Sequence, residues 1–425
     1  MGVSTEGPLA PSRHGLVVRM WVLTGCVAVA DSVFGAVFVT HMLDQGLSPA
    51  VVGLLLMLPA VTAIGVEAPS GALGDRYGHR RLAVAGLLAW AAGLVTFALA
   101  DGEAAFAVAI LVWAVGLALY SGTVLALVAT TLSATGRGGL VAGAVRGGEV
   151  ARWSAAALAA LLVVVVVPVA STSVLIATSG ALLLVAGVWM LVGWPESPVR
   201  SGLPILAGLR HGARVLLGRG GVGLVVLSVL TSMLLGTLIL TWQPYLTDVL
   251  GIEKRWLGLA LFVMSVGAAG GAALSRCTQR VAPRTVLTVL IPALGLCLAA
   301  VALGGWTGAG AYVVAEVLVG WSLATLAVWA QHHLSDGTRA TGMSILGTVS
   351  GATIAATSGL AGLAWEHLGL LTTLTCVGTS VAVVAGCAGT VLAARAHRAR
   401  PVPTFATTTT TLTAPDDTEQ NGPAR

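Results

Sequence analysis

Twelve apolar stretches follow one another along this chain, most of them separated by short connections. They fall at 16–43, 50–71, 82–100, 104–132, 139–167, 171–194, 222–246, 256–275, 285–304, 309–333, 340–364 and 370–394. A helix needs ~20 mostly apolar residues to cross the hydrocarbon core of a bilayer. The pattern therefore predicts an all-α polytopic membrane protein with twelve transmembrane helices. Charged residues make up 9% of the chain, whereas soluble proteins carry about 25%. That excludes a soluble multidomain enzyme, and a hydrophobic content of 56% excludes a disordered chain.

The charges set the orientation. With both termini placed in the cytoplasm, 20 of the 22 basic residues fall on cytoplasmic segments, and only Lys254 and Arg255 fall outside. Such a split is a strong positive-inside signal, and it supports the count of spans. A multi-pass protein of the cell membrane with both termini cytoplasmic is expected. The net charge of +5 does not point to nucleic acid, because the basic residues are not gathered on a soluble domain. Cys26, Cys277, Cys297, Cys376 and Cys387 form no CxxC pair and give neither a disulfide framework nor a metal site. Leu23-Thr24-Gly25-Cys26 looks like a cleavage box, but the apolar run between Arg19 and that box is too short for a signal peptide.

The chain divides into an N-terminal six-helix bundle (1–194), a cytoplasmic linker with an amphipathic helix (195–221), a C-terminal six-helix bundle (222–394) and a disordered cytoplasmic tail (395–425). The linker carries Leu209, Ala213, Leu216 and Leu217, with Arg210 and Arg214 one turn apart. The tail turns Thr-rich and then acidic. The halves share a faint echo. Gly46-Leu47 and Gly53-Leu54 open the second span, and Gly251-Ile252 and Gly258-Leu259 open the eighth at the same offset. Such repeats suit a transporter built from two pseudo-symmetric halves around a central site.

The segment after the second stretch reads Gly71-Ala72-Leu73-Gly74-Asp75-Arg76-Tyr77-Gly78-His79-Arg80-Arg81. It resembles the signature loop of the major facilitator superfamily, with His79 at a position where the family has a basic residue. Further stretches, among them Glu67-Ala68-Pro69-Ser70-Gly71 and Trp242-Gln243-Pro244-Tyr245-Leu246, resemble a subgroup of drug and metabolite efflux proteins. The antiporter motifs of the fourth and fifth spans are absent. The resemblance implies the superfamily fold, two pseudo-symmetric six-helix bundles. It also implies a cytoplasmic gate or latch made by Gly71, Asp75, Arg76, Gly78, Arg80 and Arg81, with Asp75 docking at the start of the eleventh span near Ala340–Gly342. In physical terms, Gly71 allows close helix approach, Gly78 a tight turn, and Asp75 an anion at a helix N-terminus.

Ionisable residues at bilayer depth cost ~2.5–3.5 kcal/mol on insertion scales and mark function. Asp31 lies midway between Arg19 and Asp44, near the midplane where transporter sites occur. Such a carboxyl group can take up and release a proton or bind substrate. Glu67, followed by Pro69, and Glu316 in the outer third of the tenth span are further proton-coupling or substrate candidates. Arg146, Glu149 and Arg152 recur every third residue. They read as an inner-gate network if the fifth span starts near Gly139, and as an interfacial cluster if it starts near Trp153. Tyr120, Trp242, Gln243, Tyr245, Trp321, Trp329 and Gln331 are candidate linings of a substrate pathway, since aromatic walls with few polar groups suit amphipathic ligands.

These residues predict a secondary active transporter working by alternating access. The expected activity is proton-coupled export of a small amphipathic or hydrophobic compound. Import or facilitated movement of a small metabolite is the alternative, and a non-transporting scaffold or membrane enzyme a remote one. No nucleotide loop, zinc motif or nucleophile elbow occurs, so no enzyme activity, cofactor or metal is expected. The expected partners are a small-molecule substrate, protons and the lipid bilayer, with the chain acting as a monomer.

Overall fold

The computed structural model describes residues 15–167, 169–196, 218, 221–333 and 339–398. Among these, all regular structure is helical, and twelve helices are long and apolar enough to cross a membrane. In the N-terminal half the spans are Gly15–Asp44, Pro49–Val66, His79–Ala98, Glu103–Ala134, Gly138–Val166 and Thr172–Gly193. In the C-terminal half they are Gly221–Val249, Lys254–Thr278, Pro283–Leu303, Gly305–Ala330, Ile345–Leu368 and Leu370–Thr390. Helices suit such apolar sequence because every backbone group is paired within its own segment.

Serine side chains cap two of the helices. Ser48 Oγ accepts from Val51 N at 3.4 Å with Pro49 in the first helical position, and Ser171 Oγ accepts from Val174 N at 3.3 Å. The last helix runs to Arg398, past the expected start of the tail at 395. The part of the 195–221 linker expected to form the amphipathic helix, Leu209 to Leu217, and the tail from 399 on lie outside the described residues.

Some spans are interrupted. The first consists of Gly15–Gly35 and Phe38–Asp44, and the second of Pro49–Leu55 and Leu58–Tyr77. The fourth breaks between Tyr120 and Thr123, where Gly122 takes a φ of 72°. The seventh passes through Pro244, which offers no N–H to the preceding turn, into a π-helical turn at Tyr245–Val249.

The buried apolar side chains form two cores, one mostly in each half, and the first also takes in Leu240 and Ala361 from the C-terminal half. In the first, Phe97 packs edge-on against Phe34 and Phe106, with ring centroids 5.2 and 4.8 Å apart. In the second, Leu287, Ile291 and Leu294 are fully buried beside Tyr245 and Tyr312. One end of the bundle carries Lys254 and Arg255 and is here the arginine-poor end. The other carries the remaining connections with cations and is the arginine-rich end.

The internal echo has a structural meaning. Gly46 and Gly251 both adopt positive φ, 83° and 67°, at matching turns of the arginine-poor end. Gly53 then meets the eleventh span so closely that a Cβ would lie 2.5 Å from Ser358 O and 2.9 Å from Gly362 Cα. Gly258 meets the fifth span, where a Cβ would strike Ala160 O and come within 2.8 Å of Val163 Cβ. Each repeat thus places one glycine where a helix of its half touches the backbone of the other half.

Candidate functional site

Asp31 sits four residues before Gly35, the last residue ahead of the interruption of the first span, and it is exposed to a cavity of about 320 Å³. Tyr120 and Arg152 line the same cavity, with Thr24, Ser32 and Gly35 of the first span. Leu261 and Ser265 complete the wall from the eighth span, so the cavity lies between the halves. Among the described residues Asp31 makes no hydrogen bond or ion pair. Arg152 is occupied otherwise: its Nε and Nη2 donate to Glu149 Oε2 at 3.1 and 2.8 Å, and its guanidinium lies 4.2 Å from the ring centre of Trp153. The cavity therefore presents an unpaired carboxyl group beside a cation already held by its own helix.

The fifth span starts at Gly138, so Arg146, Glu149 and Arg152 all lie on a membrane-length helix. Glu149 pairs with Arg152, and both are substantially exposed. The Arg146 side chain lies outside the described residues.

Above the cavity the arginine-poor end is shut by contacts between the halves. Gln243 Nε2 donates to Gly35 O at 2.9 Å, and Thr40 N donates to Gln243 Oε1 at 3.1 Å. Lys254 pairs with Asp44 across the halves. Glu366 Oε2 accepts from Ala50 N at 3.1 Å, which ties the eleventh span to the start of the second. None of these contacts reaches the arginine-rich end.

There the signature segment departs from the expected loop. Gly71, Asp75 and Arg76 belong to the helix Leu58–Tyr77, and the turn is made by Gly78 alone at a φ of 97°. A single glycine in the left-handed region suffices to reverse the chain. Arg80 N donates to Glu196 Oε1 at 3.0 Å, and Arg80 Nη1 donates to Trp194 O at 2.8 Å. Arg80 and Arg81 also face Glu196 Oε2 at 3.3 and 3.9 Å. These two arginines thus anchor the third span to the end of the sixth, within their own half. The side chains of Glu67, Asp75, Arg76 and residues 340–342, and the surroundings of Gly71, lie outside the described residues.

Glu316 is half-buried on the tenth span beside Gly267 of the eighth and does not line the Asp31 cavity. Of the expected pathway residues, Tyr120 alone lines it among the described side chains. Gln243 is fully buried in the contact between halves. Tyr245, also fully buried, donates to Gly305 O at 3.0 Å and packs against Tyr312, so it joins the seventh and tenth spans. Trp242 lines a separate, largely apolar groove of about 630 Å³ with Trp256, Trp306 and Tyr312. Trp321 Nε1 donates to Thr278 Oγ1 at 3.3 Å, and Trp329 packs against the second core. The Gln331 side chain lies outside the described residues. Sequence reasoning missed Asp44, Lys254 and Glu366 as contacts between halves. Lys254, the sole lysine and one of two outer cations, carried the one visible signal.

Several solved structures share the fold. A point mutant of the nucleoside transporter NupG superposes with a TM-score of 0.77 at 15% identity, covering 89% of this chain and 99% of that one. A bacterial homolog of the human lysosomal transporter Spinster, inward-facing and unoccupied, gives 0.69 at 14% identity over 91% and 96%. A POT family transporter in complex with 5-aminolevulinic acid gives 0.68 at 11% identity over 90% and 96%. No curated protein sequence matches this chain. The sequence itself matches the Major Facilitator Superfamily over residues 20–358, and the chain belongs to that family of transporters, which are not enzymes.

Proposed function

We propose that this chain exports a small amphipathic or hydrophobic compound across the cell membrane in exchange for protons, by alternating access of two six-helix halves. One observation carries the reading: the Asp31 carboxyl group, without a bonded partner among the described residues, faces a cavity between the halves below a closed end. An ionisable group at that depth is costly unless it takes a proton or a ligand. The arginine-rich end faces the cytoplasm, in keeping with the 20-to-2 distribution of cations. The structure then corresponds to a state closed toward the outside. Tyr120 and Trp153 give the cavity aromatic faces, and Thr24, Ser32 and Ser265 give it hydroxyl groups. In the opposite state Arg76, Arg80 and Arg81 supply the cytoplasmic latch.

The test is flux in proteoliposomes under an imposed pH gradient, with a broad compound panel. Substrate movement should change the lumenal pH, and Asp31→Asn should abolish that change. Unaltered coupling in the variant removes Asp31 from the mechanism. A second reading, import of a polar metabolite, draws on the hydroxyl lining and on neighbours described as nucleoside and POT family transporters. Counterflow with nucleosides, peptides and dyes separates the two.

A further inference from the structure

The first span is broken where it meets the seventh, and the break is bridged by a side chain from the other half. In a continuous helix Gly35 O would accept from Val39 N–H, and Thr40 N–H would reach Ala36 O. The Gln243 amide takes both places, as donor to Gly35 O and acceptor from Thr40 N. Its orientation is fixed by its partners, since a carbonyl only accepts and a peptide N–H only donates. Gln243, Thr40 and Ala36 are buried, so no bulk water competes for these groups. Gly35 also lines the cavity that contains Asp31, one helical turn away.

We propose that Gln243 is the positioning residue that couples the Asp31 cavity to closure of the arginine-poor end. This inference rests on the alternating-access reading above. When the halves part at that end, Gln243 leaves with the seventh span. Gly35 O and Thr40 N–H then lose their partner, and the chain restores its bonding by straightening through residues 36–37. Straightening moves the turn that carries Asp31 relative to Phe38–Asp44. The shape of the cavity wall and the state of the closed end therefore change together. A proton or ligand at Asp31 that fits one shape better shifts the balance between the two states.

The experiment uses the full chain in a cysteine-free background, with spin labels at Asp101→Cys and Leu368→Cys. These exposed positions lie on opposite halves at the arginine-poor end. Distance distributions are recorded by pulsed dipolar spectroscopy without substrate, so a protein with no measurable flux still gives a result. Gln243→Leu should shift the open-to-closed ratio toward longer distances by on the order of fivefold or more. Asp31→Asn should change the distribution in the parent and leave it unchanged in Gln243→Leu. A Gln243→Leu distribution identical to the parent's overturns the proposal. So does an Asp31→Asn effect that is absent in the parent or undiminished in Gln243→Leu. If Gln243→Leu does not insert, Gln243→Ala replaces it. That variant removes both the donor to Gly35 O and the acceptor for Thr40 N–H, and the same comparisons decide.

Discussion

Gly53 of the second span and Gly258 of the eighth occupy matching places in the two halves, and each presses its backbone against a helix of the opposite half. Gly53 meets Gly362 and Gly258 meets Ala160, so the arginine-poor end is closed twice by the same device. Close approach of this kind depends on the missing side chain, since a Cβ would overlap main-chain atoms that cannot rotate away.

Replacing Gly258 by leucine should therefore hold that end open. The expected result is longer distances between labels at Asp101 and Leu368, with transport reduced at least tenfold. Gly53→Leu should behave alike, and a variant with closed-state distances would show that the contact is dispensable.

Asp31→Asn should separate substrate movement from proton movement. Counterflow, which needs no gradient, should persist at a rate within a few-fold of the parent. Uphill transport driven by a pH gradient should vanish. Measurement of both in one vesicle preparation checks the prediction, and equal loss of both would assign Asp31 to substrate binding instead.

Tyr245→Phe tests whether this residue belongs to the pathway or to the scaffold. The hydroxyl group makes one hydrogen bond, to Gly305 O at 3.0 Å. Its removal should cost about 1 kcal/mol of stability, seen as a lower midpoint in thermal unfolding in detergent. The KM for any transported compound should stay unchanged.

Gly78→Ala should weaken the turn into the third span. Gly78 takes a φ of 97°, and an added Cβ would lie 2.5 Å from Glu196 Oε1. A side chain in that region costs of order 1–3 kcal/mol. Thermal unfolding should show the loss, and it should be smaller when Gly78→Ala is made in a Glu196→Ala background than in the parent, because the steric part is relieved while the backbone strain remains.

Lys254→Ala should matter little for stability by comparison. Lys254 and Asp44 are 39% and 42% exposed, so their pair is screened by water. The expected change is below about 1 kcal/mol and shrinks further in high salt. A large, salt-independent loss in thermal unfolding would mean that the pair holds the closed end on its own.

Much was legible in the sequence because a bilayer imposes few options. A run of apolar residues long enough to cross must be a helix or part of a closed barrel, so twelve runs read as twelve helices. Arginine placement gave their alternation, and the Gly71–Arg81 segment gave the family. Asp31 was conspicuous because a carboxyl group at mid-depth is costly wherever it points. The glycine echo was visible too, although its purpose was not.

Only the tertiary structure decided which of these residues share a space. Hydropathy reports depth along a helix but not the direction a side chain takes around it, nor which helix stands opposite. Asp31, Tyr120 and Arg152 come from three different spans and meet in one cavity, whereas Glu316 lies elsewhere against Gly267. Gln243 looked like a pathway residue because a polar amide in an apolar helix invites a ligand. Its partner is instead the broken backbone of the first span, and a helix break at Ala36-Val37 leaves no mark in composition. Depth is a property of one segment and can be read from it. Contact is a property of two segments and appears only when both are in place.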